Sequence, residues 1–453
     1  MKIIIAGAGK VGAAVASLLA EEGHDITIID RSAERIDTLS NNLDVICVQG
    51  SATDAETLIE AGAKSADLVV AATRNDEINM VCGISAEKLG TKHSIARIRD
   101  TAYINQLDFL REALGLDTVI NPELECAREI SRILRFPSAI FVDLFSNGRV
   151  EMIKHRISPD SKLKGKQLKE LPQSFGAKVL VGLVGRKGEA VIPNGDFRLE
   201  ADDLISVLGS AKELRKFFVA TGEFKKPVKN VMIMGGGRIA VYLSKLLIDA
   251  GIKVSLVEKS SSRCEELCDE LHSAKIIHAD ATRGDVLREE GLDKADAFVA
   301  LTGDDGSNII TSMYAKSCNV GKIVVKVNQD YYSDILAGAN LDSVVTPRML
   351  ISQQMARFVR ALSNSEGSSM ETLYKLADGK VEAMEFKVEE GSLCIGRPLK
   401  NMPIKKNTIV AAIVRGKETI IPDGNTQICS GDHVVIIAMA GKVKTLDGII
   451  EVL

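Results

Sequence analysis

The chain has 453 residues, too many for one hydrophobic core and enough for about three domains. It is 45% apolar and 26% charged with a formal charge of −4, which argues against a dedicated nucleic-acid binder, since that would carry a basic excess. No run reaches the roughly 18 apolar residues needed to cross a bilayer.

Residues 1–120 alternate short apolar strands, near 3–6, 26–30, 45–48, 68–72, 94–98 and 118–120, with helical stretches. That alternation predicts a parallel, doubly wound sheet with its ligand at the carboxyl ends of the strands. Ile3-Ile4-Ile5 leads into Gly7-Ala8-Gly9-Lys10-Val11-Gly12, then an Ala/Leu-rich helix, then a strand ending on Asp30. In such a run the first glycine makes the tight turn and the second admits a pyrophosphate to the backbone. The third lets helix and sheet pack closely. The helix then aims its free amides and positive dipole end at the phosphates, and Asp30 stands where a carboxylate accepts both hydroxyls of an adenosine ribose.

Residues 121–137 read as a bridging helix, with Asn121 as cap and Pro122 at the first helical position. Ala127, Ile130 and Leu134 recur at helical spacing, a face suited to another lobe or subunit. Residues 138–221 read as a small α+β unit, with strand-like runs at 139–144, 150–153, 179–184 and 204–208 and a turn at Pro193-Asn194-Gly195. A linker over 221–227 closes this half.

The pattern is then written again. Val231-Met232-Ile233-Met234 runs into Gly235-Gly236-Gly237-Arg238-Ile239-Ala240, 228 positions after its first occurrence, and Glu258 takes the place of Asp30. Thr73 is echoed by Thr302, Asn121-Pro122 by Thr346-Pro347, and Pro193-Asn194-Gly195 by Pro422-Asp423-Gly424. The second set of units spans 228–345, 346–363 and, after a polar linker over 363–369, 370–453. The expected fold is α/β, a tandem duplication of a Rossmann-like doubly wound parallel sheet domain followed by a small α+β domain.

The candidate cofactor-binding residues of the first unit are Gly7, Ala8, Gly9, Lys10, Val11, Gly12 and Asp30. Ser51 follows the third strand, Thr73 and Arg74 the fourth, and Arg97 and Arg99 end the fifth. Thr73 is placed either to bond ribose or diphosphate or to close a turn, and the arginines face either phosphate or solvent. Their counterparts are Gly235, Gly236, Gly237, Arg238, Ile239, Glu258, Asp280, Thr302 and Lys326. An acid at the ribose position favours NAD over NADP by repelling a 2′-phosphate, while ADP or ATP would satisfy the same contacts. A dehydrogenase also needs an acid–base group beside the hydride. Of the six histidines only His278 is suitably placed, and its counterpart Gln49 cannot do that work. The eight cysteines form no C-x-x-C pair, which disfavours a disulfide framework or a zinc site and fits a reducing cytoplasm. No assembled nucleophile, base or metal cluster is expected in the small units.

Taken together, these motifs closely resemble the cytosolic K⁺-conductance-regulating family, RCK or KTN, over essentially the whole chain. The resemblance rests on Gly7 through Gly12 with Asp30, Ala66-Asp67 with Thr73, Asn121-Pro122, the Pro193-Asn194-Gly195 turn and their second-half echoes. A tandem pair of this length is similar to the peripheral subunit of the Trk potassium uptake system. The resemblance implies a non-catalytic regulatory subunit, cytoplasmic and peripheral on the inner face of the cell membrane. Its implied partner is an integral membrane potassium transporter of the Trk type, and its implied ligand is NAD or NADH, with ATP or ADP as alternatives. Four chains would form a homotetrameric, eight-lobed ring whose shape reports the ligand. The rival readings are an NAD-dependent dehydrogenase with duplicated cofactor domains and a scaffold with vestigial sites.

Overall fold

The computed structural model describes all residues except 101–102, 104–114, 137, 224–225, 330–331, 333–335, 337–340, 342, 365–369, 378 and 452–453. Parts of both expected linkers therefore lie outside the described residues. Six parallel strands open the chain: β1 (Lys2–Ala6), β2 (Asp25–Asp30), β3 (Ile46–Gln49), β4 (Leu68–Ala71), β5 (His93–Arg97) and β6 (Thr118–Ile120). Their order in the sheet is β3-β2-β1-β4-β5-β6. Ile3 through Ala6 and Leu68 through Ala71 are buried on both faces, which is why these strands are continuous aliphatic runs without alternation. Among the described residues, four helices cover them: α1 (Lys10–Glu21), α2 (Ala33–Asn42), α3 (Ala55–Glu60) and α4 (Asp76–Leu89). The side chains of Ser32, Asp54 and Asn75 cap α2, α3 and α4, whereas α1 begins after Gly9 with no side-chain cap.

Helix α5 (Pro122–Arg135) follows, its start set by Asn121 Oδ1 accepting the Leu124 amide at 2.8 Å. Glu123 and Glu125 sit in its first turn and Arg132 and Arg135 in its last, which complements the helix dipole. The small unit is an antiparallel sheet ordered β10-β9-β11-β8-β7. Its strands are β7 (Phe141–Phe145), β8 (Val150–Arg156), β9 (Leu180–Arg186), β10 (Glu189–Val191) and β11 (Leu204–Gly209), and α6 (Ala211–Thr221) backs it. The first strand starts two residues later than expected from the sequence, because the Ala139 amide turns back to the Phe136 carbonyl.

The second half repeats this order. Strands β12 (Asn230–Met234), β13 (Lys253–Glu258), β14 (Lys275–His278), β15 (Ala297–Ala300), β16 (Lys322–Lys326) and β17 (Val344–Val345) form the sheet β14-β13-β12-β15-β16-β17. Its helices are α7 (Arg238–Asp249), α8 (Ser261–Glu270), α9 (Gly284–Glu289) and α10 (Asp305–Ser317). The bridging helix α11 (Pro347–Asn364) leads to β18 (Met370–Leu376), β19 (Val381–Lys387), β20 (Thr408–Arg415), β21 (Glu418–Ile420) and β22 (His433–Met439). Their order, β18-β19-β22-β20-β21, matches the first small sheet strand for strand.

The halves are joined by exchange. Cys126, Ala127, Ile130, Ile133 and Leu134 of α5 share a core with Val241, Leu243 and Leu247 of α7 and with the second large sheet. Reciprocally, Ile351, Met355, Ala356 and Val359 of α11 join Val15, Ala16 and Leu19 of α1. Each fully buried aliphatic contributes roughly 1.5–3 kcal/mol, so these faces outweigh polar pins such as Asn121 Nδ2 to Tyr242 Oη at 3.3 Å. Arg360 Nε also reaches Glu22 Oε2 at 3.1 Å. The small sheets close face to face through Phe145, Val150 and Leu208 against Val381, Val435 and Ile437. A Cβ on Gly182 would strike the Ile437 side chain, so glycine there lets the sheets meet.

Where α5 passes α11, Glu129 and Asp143 are buried beside Arg132, Gln354 and Arg357. Burial pushes Asp143 up to about 8, with the Glu129 charge adding to it, and pushes Glu129 up to about 7 against the pull of Arg132. A carboxyl raised by folding favours the native state only while protonated. Its contribution is fully present below the unfolded value, about 3.9 for Asp, and is lost as pH rises toward the folded value. Asp143→Asn is therefore expected to flatten the fall in stability between pH 5.5 and pH 8, read as urea midpoints by circular dichroism. A slope identical to that of the parent would contradict this assignment.

Candidate functional site

The site begins at the turn out of β1. Gly7 has φ +109° and a Cβ there would lie 3.1 Å from the Ala72–Thr73 backbone, so only glycine fits. A Cβ on Gly12 would strike the Gly7 carbonyl, while Gly9 faces open space. The first amides of α1 are therefore left to solvent or a ligand. Asp30 Oδ2 accepts the Ala8 amide at 2.7 Å and Oδ1 the Ser32 amide at 2.8 Å, with Arg35 Nη1 at 3.6 Å. The carboxylate thus shapes the loop as well as facing the crevice.

Ser51 Oγ accepts from Arg31 Nη2 at 2.8 Å. Thr73 closes a turn: its amide and hydroxyl both donate to Asn79 Oδ1, at 2.8 and 2.6 Å. The Asn79 amide group in turn donates to the Arg97 carbonyl at 2.7 Å. Asp76 accepts the Arg99 and Asp100 amides at 2.8 Å, and Arg99 also donates to the Arg74 carbonyl. The buried Asn79 was passed over in the sequence, although Thr73-x5-Asn79 recurs as Thr302-x5-Asn308 with the same hydrogen bonds.

Gly7, Gly9, Lys10, Val11, Asp30, Ser51, Thr73, Arg74, Arg97 and Arg99 line one cleft of about 540 Å³. Ala8 and Gly12 lie behind it, buried. The second half forms the opposite wall through Ile239, Lys326, Asn328, Pro347 and Arg348. Of the residues expected there, Ile239 and Lys326 thus reach the first crevice, and Gly235, Gly236, Gly237, Arg238, Glu258, Asp280 and Thr302 do not line it. Arg35, Glu123, Asn328 and Arg348 line it without having been singled out. The readable signal for Arg348 was its place directly after the repeated proline, where the first half has Glu123.

Eight cationic side chains (Lys10, Arg31, Arg35, Arg74, Arg97, Arg99, Lys326 and Arg348) line this cleft with two carboxylates, Asp30 and Glu123. Arg97 Nε and Glu123 Oε2 are buried without a hydrogen-bond partner, and Arg97 Nη2 stays 3.9 Å from Glu123 Oε1. Burial pulls the Arg97 guanidinium below its ordinary value, opposed by the Glu123 charge. It does the same to the Lys326 ammonium, whose Nζ is 3.5 Å from the Leu301 carbonyl. Such an arrangement suits a phosphorylated, anionic ligand.

The second fingerprint keeps the backbone geometry, with Glu258 accepting the Gly236 amide at 2.8 Å and the Ser260 amide at 2.9 Å. Its surroundings are tighter. A Cβ on Gly236, the Ala8 position, would strike Leu267, and Arg263 Nε donates to the Gly236 carbonyl at 2.9 Å. Arg238 is exposed, and Asp280 closes a turn on Thr282 at 2.7 Å. His278 is exposed and its Nε2 lies 3.2 Å from the Lys259 carbonyl.

Fold and cleft define a class: two α/β units of nucleotide-binding type in one chain, each carrying a small antiparallel lobe. Residues 3–122 and 231–347 match the TrkA-N domain, and 152–220 and 383–450 the TrkA-C domain. The chain is 33% identical to a Trk system potassium uptake protein TrkA homolog of Archaeoglobus fulgidus, over 99% of this chain and 100% of that one. It is 32% identical to the Trk system potassium uptake protein TrkA of Halomonas elongata, over 97% and 96%. Among solved structures, the GsuK channel superposes with a TM-score of 0.64 at 19% identity, covering 97% of this chain and 76% of that one. The chain belongs to the TrkA family of Trk-system potassium uptake proteins.

Asn79→Ala leaves the Thr73 hydroxyl and the Arg97 carbonyl without their shared partner. It is expected to cost about 1–3 kcal/mol, seen as a lower urea midpoint, whereas Arg35→Ala at the half-exposed ion pair changes it by less than about 1 kcal/mol. Equal effects from the two would refute the role given to Asn79.

Proposed function

We propose that this chain is the nucleotide-responsive regulatory subunit of an integral membrane potassium transporter of the Trk type, working at the cytoplasmic face of the membrane. The observation that carries the reading is the cationic cleft walled by both halves, so that whatever binds there touches both sides of a joint. No described helix is long and apolar enough to cross a membrane, which fits a subunit acting on its partner from outside the bilayer.

NAD or NADH is the proposed ligand, with its adenosine ribose on Asp30, its diphosphate at the α1 amides, and Arg97, Lys326 and Arg348 supplying charge. Similar structures include the GsuK channel bound to NAD and GsuK bound to ADP. These two complexes support a dinucleotide and keep adenine nucleotides as competitors. The second fingerprint, crowded by Leu267 and Arg263, is proposed to serve the fold more than the ligand. The similarity to proteins named as Trk-system potassium uptake proteins supports a non-catalytic role over a dehydrogenase.

Ligand binding is proposed to favour one angle between the halves. A ligand with equal affinity for two shapes shifts nothing, and an appreciable shift needs a differential of a few kcal/mol. Four chains are proposed to assemble into an eight-lobed ring that passes this angle to the transporter. The ring is supported by exposed apolar side chains at equivalent places in both repeats: Val81 on α4 is 44% exposed and Ile310 on α10 is 71% exposed.

Lys326→Met and Asp30→Ala are each expected to weaken NADH binding about tenfold or more, a loss of ~1.4 kcal/mol, by isothermal calorimetry. Unchanged affinity in both would remove the ligand from this cleft, and steady consumption of NADH with a metabolite oxidant would favour the dehydrogenase. Ile310→Asp is expected to reduce the assembly to smaller species in light scattering, and an unaltered mass would exclude α10 from the ring contact.

A further inference from the structure

Where the sequence led to an expectation of no metal cluster in the small units, the fold gathers potential metal ligands from three separate strands outside the cleft, at the rim of the joint between the small sheets. Glu371 stands on β18, Glu385 on β19 and His433 at the start of β22, with their ligand atoms all within 4.8 Å of one another. His433 Nδ1 is 2.7 Å from Glu371 Oε2 and 3.5 Å from Glu385 Oε1. The Glu385 side chain is buried, whereas Glu371 and His433 are about one-third exposed, so the trio opens to solvent on one side.

We propose that Glu371, Glu385 and His433 bind a single divalent transition-metal ion of the Zn²⁺ or Mn²⁺ class. Two carboxylates and a neutral imidazole carry two negative charges, which one such ion balances. Imidazole nitrogen with carboxylate oxygen is a donor set for these ions, where Ca²⁺ and Mg²⁺ prefer oxygen alone. Three protein ligands leave positions for water on the exposed side.

The buried ligand is also oriented. Glu385 Oε2 accepts the Ser146 amide at 3.0 Å and the Thr372 hydroxyl at 3.2 Å, while Oε1 accepts the Ser146 hydroxyl. Hydrogen bonds of this kind fix a metal-binding carboxylate in place. Ser146 follows β7 of the first small sheet, so an ion here is one hydrogen bond away from the contact between the lobes. The cluster is particular to the second repeat: Lys154 and Leu204 stand at the places of Glu385 and His433. Lys387, the cross-strand partner of His433, is exposed, which leaves its charge largely solvated.

The test uses the full-length protein stripped with chelator and titrated by calorimetry with Zn²⁺, Mn²⁺, Mg²⁺ or Ca²⁺. Thermal midpoints and NADH affinity are read on the same samples. Expected is a single equivalent of Zn²⁺ or Mn²⁺ that raises the midpoint, about tenfold or more weaker in His433→Gln and in Glu371→Gln, with NADH affinity unmoved by either change. The Mn²⁺ arm and the His433→Gln comparison separate this site from zinc taken up by exposed cysteine. No binding, or binding that both variants leave intact, would reduce the trio to a protonated histidine paired with two carboxylates.

Discussion

The aliphatic face of α5 lies on α7 of the opposite half, and α11 lies on α1. Everything else about the molecule's shape depends on this exchange. A bridging helix that packed only on its own sheet would leave two independent halves joined by a linker. The reciprocal arrangement makes each large unit complete only when the other half supplies a helix. Because the contact is apolar and non-directional, it holds the halves together without fixing the angle as a polar lattice would. Hydrogen bonds between the halves, Asn121 to Tyr242 beside the exchanged helices and Tyr374 Oη to the Leu144 carbonyl at 2.8 Å between the small sheets, then select a register.

One consequence is the position of the cleft. Equivalent residues of the two halves line the same cleft: Arg97 and its repeat counterpart Lys326, Arg99 and Asn328, and Pro122 and Pro347. The pseudo-symmetry is broken where it matters electrostatically: the residue after the repeated proline is Glu123 in one half and Arg348 in the other. A symmetric pair of glutamates would have repelled a diphosphate. The pair present contributes no net charge and leaves the surrounding cations to set a positive field.

Much of this was legible in the sequence. The parallel, doubly wound sheets followed from aliphatic runs separated by helices, the turns from glycines with no steric alternative, and the duplication from a near-constant offset. The first fingerprint and Asp30 were readable because their chemistry is local. What stayed hidden depended on two distant segments meeting. Nothing near Lys326 says that it lines the crevice of the other repeat, and the apolar face of α5 announces a partner without naming it. Asn79 was missed for another reason: a buried asparagine bonding two backbone strands has no composition signal, and only its recurrence as Asn308 marks it. Residues such as Thr73 and Asp280 also show that a polar side chain in the right loop can be spent on the turn itself.

The buried charges of the cleft are incompletely paired. Arg97 Nε and Glu123 Oε2 are buried without partners, and a buried polar group left unsatisfied costs about 1–3 kcal/mol. The fold tolerates that cost because the exchanged apolar helices hold the halves together independently of the charges between them. A phosphate in the cleft would give Arg97 Nε an acceptor and would be repelled by Glu123 Oε2, both on the first half, while Lys326 and Arg348 line the cleft from the second. Under the proposed function, binding energy is tied to the distance between the halves, because the cations of the cleft come from both of them. A differential of that kind is what a ligand needs in order to select one shape of a two-state body.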